Sequence, residues 1–136
     1  MIWIVDTCVV LDVLENDPDL GMPSAMLLEA RLGDGLAVSP VTMVELAPAF
    51  AGDLGAQKRF LDLAGINYLE PWTSADTEVA HAGWQRHIAA RRSGHQAKRP
   101  IADILIGAFA HNRRGLISRN GRDFRPAFPD LVILEP

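Results

Sequence analysis

Four apolar residues, Ile2-Trp3-Ile4-Val5, run directly into Asp6, and this junction limits the folds open to the rest of the chain. A run that short, with β-branched and aromatic side chains and no polar alternation, predicts a strand buried on both faces, as in a parallel sheet. Thr7 and a helical apolar pattern (Val9, Val10, Val13, Leu14) follow. A carboxylate between a buried strand and the next helix stands where open parallel sheets form their ligand crevice. It also stands where an ordinary helix N-cap would, so Asp6 alone leaves both readings open.

The same strand-then-helix pattern recurs. Residues 15–23, rich in Asp, Asn, Pro and Gly, predict a loop before a helix over Ser24 to Arg31. Gly33-Asp34-Gly35 turns the chain into a short strand at Leu36 to Val38. Ser39 as N-cap and Pro40 at the first helical position then start a helix that Pro48 ends near Ala47. An amphipathic turn or two around Gln57 to Ala64 precedes a third strand at Ile66 to Leu69. Thr73-x-x-Asp76 has the form of a capping box, opening a long helix to about Arg92. After the polar Ser93-Gly94-His95 loop, Pro100 restarts a helix that is apolar on almost every side through Ala110. Asn112, Arg113 and Arg114 end it, Gly115 is expected as its C′ residue, and strands follow at Leu116 to Ser118 and Val132 to Leu134. Strands alternating with helices predict an α/β fold of three layers around a central, mostly parallel sheet of about five strands.

With 136 residues, 49% hydrophobic and 22% charged, residues 1–136 are expected to form one domain with an ordinary core. No apolar run approaches the ~20 residues of a membrane span. Asp6 interrupts the first apolar run too early for a secretory signal. The one cysteine, Cys8, has no intrachain partner, which points to the reducing cytoplasm. Net charge is −4 but unevenly spread: residues 1–85 carry −10, residues 86–125 carry +8 and the last eleven −2. The basic block is either a solvated face or a rim for phosphates or an acidic partner.

Asp103 carries the strongest single signal. Ile101, Ala102, Ile104, Leu105 and Ile106 around it predict burial, and a buried ionised carboxylate must be neutral, paired with Arg or Lys, or bound to a metal. Arg99 and Arg119 are the candidate partners for a purely structural pair. Glu45 raises the same question in the first turns of its own helix. Asp6, Glu45 and Asp103 all fall near strand ends or helix starts on one expected edge of the sheet, and carboxylates brought together repel unless a cation sits between them. Oxygen donors without histidine or thiolate favour Mg²⁺ or Mn²⁺ over zinc. Asn120 or Asp123, in Ser118-Arg119-Asn120-Gly121-Arg122-Asp123-Phe124, could complete the set. Alternatively, Asn120-Gly121 is an ordinary turn and Asp123 pairs with Arg122 or Arg125.

Asp6-Thr7 after the first strand, Glu45 within Val41-Thr42-Met43-Val44-Glu45-Leu46, Asp103 within Ile101 to Ala108, and Ser118-Arg119-Asn120 followed by Asp123-Phe124 together resemble a PIN domain, and within that superfamily the compact VapC-type toxins of bacterial toxin–antitoxin pairs. The resemblance spans essentially the whole chain. It implies a Mg²⁺- or Mn²⁺-dependent endoribonuclease, usually a homodimer, held inactive by a small cognate antitoxin. By position, Asp6 and Asp103 would be metal ligands and Glu45 a ligand or water-orienting group. The fourth family position, often Asp, falls on Asn120, leaving Asp123 or a water as the substitute. Cys8 stands where small polar residues are common in the family.

On that reading Thr7 and Ser118 hydroxyls hold the waters of the ion, Glu45 orients or deprotonates the attacking water, and Arg91, Arg92, Lys98, Arg99, Arg119 and Arg122 hold the RNA backbone. Trp84, Tyr68 and Phe124 are core residues or base-stacking platforms. The alternative is a non-catalytic RNA- or protein-binding module on the same fold. A nucleophile elbow, a zinc-type histidine pair and a phosphate-cradling Gly-rich loop are all missing from the sequence. The Asp-x-Asp pair of small phosphatases is missing too, because Cys8 occupies its second position.

Overall fold

A computed structural model describes residues 1–91 and 100–136, with the side chain of Arg91 left out. Arg92, Ser93-Gly94-His95, Lys98 and Arg99 lie outside the described residues. Five strands, β1 (Trp3–Val5), β2 (Leu36–Ala37), β3 (Ile66–Asn67), β4 (Gly115–Ile117) and β5 (Ile133–Leu134), form one sheet in the order β3-β2-β1-β4-β5. Every pairing is parallel. The helices are α1 (Thr7–Leu14), α2 (Gly21–Arg31), α3 (Pro40–Glu45), α4 (Leu54–Leu63), α5 (Ser74–Arg91) and α6 (Pro100–His111). The α/β fold with its three layers and five parallel strands is as the sequence predicts.

Side-chain alternation along the strands builds the two cores. Ile4, Ala37 and Leu116 point to one face, packing with Ile104, Ile106, Phe109, Phe124 and Phe128 from α6 and the segment after β4. Trp3, Val5, Leu36, Val38 and Ile117 point to the other, packing with Val9, Val10, Leu28 and Leu61 from α1, α2 and α4. Both faces of β1 and β4 are therefore dry, which is why their sequences read as unbroken apolar runs.

Helix starts follow local chemistry. Ser39 caps α3 by accepting from Thr42 N at 3.1 Å, with Pro40 next. Thr73 N donates to Asp76 Oδ2 at 2.9 Å and Asp76 N to Thr73 Oγ1 at 3.3 Å, closing the capping box. Two boundaries differ from expectation. Helix α2 begins at Gly21 rather than Ser24, because the Asp17 carboxylate accepts from Asp19 N and Leu20 N and turns the chain early. There a Cβ would lie 3.1 Å from Asp12 O, so glycine lets the helix press against α1. Gly115 is not a helix terminator but the first residue of β4, paired with Trp3. A side chain at Gly115 would meet Val132 O at 2.5 Å, so the register depends on its absence.

This topology fixes the functional edge. The chain leaves β1 for β2 on one side and later returns to β4 on the other, so β1 and β4 flank the point where strand order reverses. Ligands in open parallel sheets bind beyond the carboxyl ends of such strands. Asp6 follows β1 and Ser118 follows β4. Helix α6 leads down toward the start of β4, so Asp103 in its first turn lies about 12 Å back along the helix from His111, toward that same edge, at 1.5 Å per residue.

Candidate active site

Asp6 is fully buried and accepts from three donors, two at the start of α1 and one just after β4. Its Oδ1 accepts from Thr7 N at 2.8 Å, making it the N-cap of α1. Its Oδ2 accepts from Ser118 Oγ at 2.8 Å and from Cys8 Sγ at 3.3 Å. The two readings left open by the sequence therefore coincide, since one carboxylate both caps the helix and stands at the crevice. Ser118 Oγ in turn accepts from Asn120 N at 3.0 Å, so the turn after β4 is fastened to Asp6 through one hydroxyl. Burial, and then the Asp6 charge, push the Cys8 thiol up to about 12. It stays protonated and works as a hydrogen-bond donor, not a nucleophile.

Thr7 links Asp6 to Glu45. Thr7 Oγ1 lies 2.6 Å from Glu45 Oε1 and 2.9 Å from Thr42 Oγ1. A hydroxyl has one proton and an ionised carboxylate only accepts, so Thr7 donates to Glu45 and Thr42 donates to Thr7. Ser39 Oγ, 3.4 Å from Thr42 Oγ1, extends the chain. The Thr7 and Ser118 hydroxyls are thus directed at carboxylates, fixing Glu45 and Asp6 in place.

Asp103 is buried at 6% exposure in the first turn of α6. It lines a small cavity with Asp123, His87, Phe124 and Phe128. Asn120 lines a second, open cleft with Thr7, Cys8, Leu11, Asp12, Glu15 and Arg119. The structure thus groups Asp123 with Asp103, and Asn120 with the surroundings of Asp6. Arg119 pairs with Asp12, Nε to Oδ2 at 2.7 Å, rather than with Asp103. Arg122 is exposed. Phe124 is core, whereas Trp84 is 37% exposed and stacks on His87, ring centroids 5.3 Å apart.

Two residues escaped the sequence reading. Asp12 carries the signal that singled out Asp103, a carboxylate inside an apolar helical run, one turn beyond Cys8. His87 stands on α5 without local context to distinguish it from a surface histidine.

A family model described as the PIN domain matches residues 3–127. The chain belongs to the PIN domain family. No curated protein sequence matches it. Among solved structures it is similar to a chain of VapBC2 from Rickettsia felis bound to a DNA fragment from their promoter (TM-score 0.68, 17% identity, 99% of this chain and 98% of that one). It is also similar to a chain of FitAB bound to the IR36 DNA fragment (TM-score 0.64, 19% identity, 100% and 95%). At these identities the likeness is one of fold.

PIN domains are generally nucleases and typically use divalent metals. The donor chemistry here suits a hard cation, because Asp6, Glu45, Asp103 and Asp123 offer only oxygen. Among the described residues no three His, Cys, Asp or Glu side chains are grouped to hold a metal together. Mg²⁺ commonly takes only one or two carboxylates, filling its remaining positions with water and phosphate oxygens. The donor chemistry therefore suits an ion that takes one or two carboxylates and completes its coordination with water and phosphate oxygens. No helix among the described residues is long and apolar enough to cross a membrane.

Proposed function

We propose that this PIN domain is a Mg²⁺- or Mn²⁺-dependent endoribonuclease hydrolysing RNA phosphodiester bonds. It acts in the cytoplasm as the toxin of a toxin–antitoxin pair, works as a homodimer and is held in check by a small cognate antitoxin. The observation that carries the reading is the buried Asp6 at the point of strand reversal, tied to Ser118 and linked through Thr7 to Glu45. Thr7 N, Cys8 Sγ and Ser118 Oγ fasten this carboxylate beyond the carboxyl end of β1, where open parallel sheets bind their ligands. The VapBC2 and FitAB neighbours support a partner protein.

Asp6 and Asp103 would hold the ion, with Asn120 or Asp123 completing its surroundings. When bound, the ion supplies Lewis-acid activation of water and offsets the charge that develops on the phosphate. Glu45, held by Thr7, orients the attacking water and takes its proton. Ser118 and Cys8 keep the Asp6 carboxylate from turning. Arg119 and Arg122, with Arg91, Arg92, Lys98 and Arg99, hold the RNA backbone, so binding weakens steeply with salt.

A mixed RNA substrate titrated with Mg²⁺ or Mn²⁺ tests this. Cleavage should appear with the metal and stop in excess EDTA. Cleavage that persists in EDTA would refute the mechanism. RNA binding without cleavage under either ion would identify a non-catalytic module on the same fold.

A further inference from the structure

We propose that Asp12 is a positioning residue that sets Arg119 as a clamp for one phosphate of the nucleic-acid strand beside Asp6, an inference that rests on the nuclease reading. Asp12 lies on the packed face of α1 and is only 5% exposed. Its Oδ2 makes no hydrogen bond among the described residues, yet sits 2.7 Å from Arg119 Nε. The contact is an ion pair off the N–H axis. A carboxylate enclosed in a packed helix is costly unless a cation compensates it. Arg119 does so while its own side chain stays 40% exposed.

The backbone of Arg119 is held on both sides, by Ser118, which bonds Asp6, and by Asn120, which bonds Ser118. With Nε turned to Asp12, the terminal nitrogens remain to donate into the cleft that Thr7, Cys8 and Asn120 also line. A planar guanidinium held beside one carboxylate by an ion pair can match two phosphate oxygens with its terminal nitrogens, and holding it there beforehand lowers the ordering cost of binding. Thr7 and Cys8 border this cleft and also touch the Asp6 carboxylate, so a phosphate held there neighbours the one at Asp6.

Anisotropy of a fluorescein-labelled single-stranded RNA, with Ca²⁺ replacing the catalytic ion, reads the clamp. Arg119→Ala and Asp12→Asn should each weaken binding about tenfold, the loss of one charge-assisted contact. The double variant should be no weaker than Arg119→Ala, since both act through one group. Arg119→Lys should keep the salt dependence but not the affinity. Wild-type affinity in Asp12→Asn, even with a lowered Tm, would overturn the proposal, as would losses that multiply in the double variant. Arg119-dependent binding by a wild type that never cleaves RNA with Mg²⁺ or Mn²⁺ would leave the clamp standing and remove the nuclease reading. Cleavage indifferent to Asp12→Asn would do the reverse.

Discussion

Asp6 and Asp76 are both fully buried aspartates, but the groups around them do different work. Asp76 accepts from Arg113 Nη1 at 3.0 Å, Asn112 Nδ2 at 2.8 Å and Thr73 N at 2.9 Å. Burial alone would push its carboxyl up, but the hydrogen bonds from Arg113, Asn112 and Thr73, with the Arg113 charge, bring it below the ordinary 3.8. A carboxyl lowered in the folded state contributes stability that is fully present above its unfolded value and is lost as pH falls through the folded one. Thermal unfolding followed from neutral pH to below 3.8 should therefore show a steeper fall in Tm for the wild type than for Asp76→Asn. Equal slopes would contradict that role. The Thr73-x-x-Asp76 pattern is legible in sequence because a capping box is local. Its tie to Arg113, 37 residues away, is not. Asp12 was missed for a similar reason, because its partner Arg119 is distant in sequence and meets it only through the pairing of β1 with β4.

Elements whose signals lie within a few residues were legible as elements. Strands, the Ser39-Pro40 start and the Pro100 restart all appear close to where local chemistry puts them. One error is local, the early start of α2 at the Asp17 turn; the other falls where a distant backbone decides, at Gly115, which the sequence offers as a helix terminator and the pairing with Trp3 makes a strand residue. The clamp of α5 and α6 on the segment after β4 is of this kind. A Cβ at Gly83 would lie 2.5 Å from Phe128 Cζ, and one at Gly107 2.5 Å from Phe128 Cε2. The phenyl ring occupies the space that both glycines leave open, holding the segment that carries Asp123 against Asp103. In an ordinary helix interior Gly→Ala is stabilising by up to about 1 kcal/mol. Here Gly107→Ala should destabilise by about 1–3 kcal/mol through overpacking, measured by urea unfolding. Phe128→Leu in the same chain should recover part of the loss, whereas a stabilised Gly107→Ala would show that the ring is not held there.

At the scale of the whole molecule, the sheet order brings residues scattered along the sequence together at one edge. Residues as far apart as Asp6 and Ser118 meet because β1 and β4 are neighbours in register, and Glu45 joins them through Thr7. The sequence pointed to that edge through the strand-then-carboxylate junctions. It could not apportion Asn120 and Asp123, since the turn after β4 sends them to different clefts. The most direct measurement is RNA cleavage in Mn²⁺ by wild type and Asp6→Asn, prepared together and compared only if their Tm values agree. Asparagine keeps the shape and the Thr7 cap while removing the charge, so the expected result is loss of cleavage with the fold intact. Cleavage by Asp6→Asn at the wild-type rate would contradict the assignment of this carboxylate as the centre of the site.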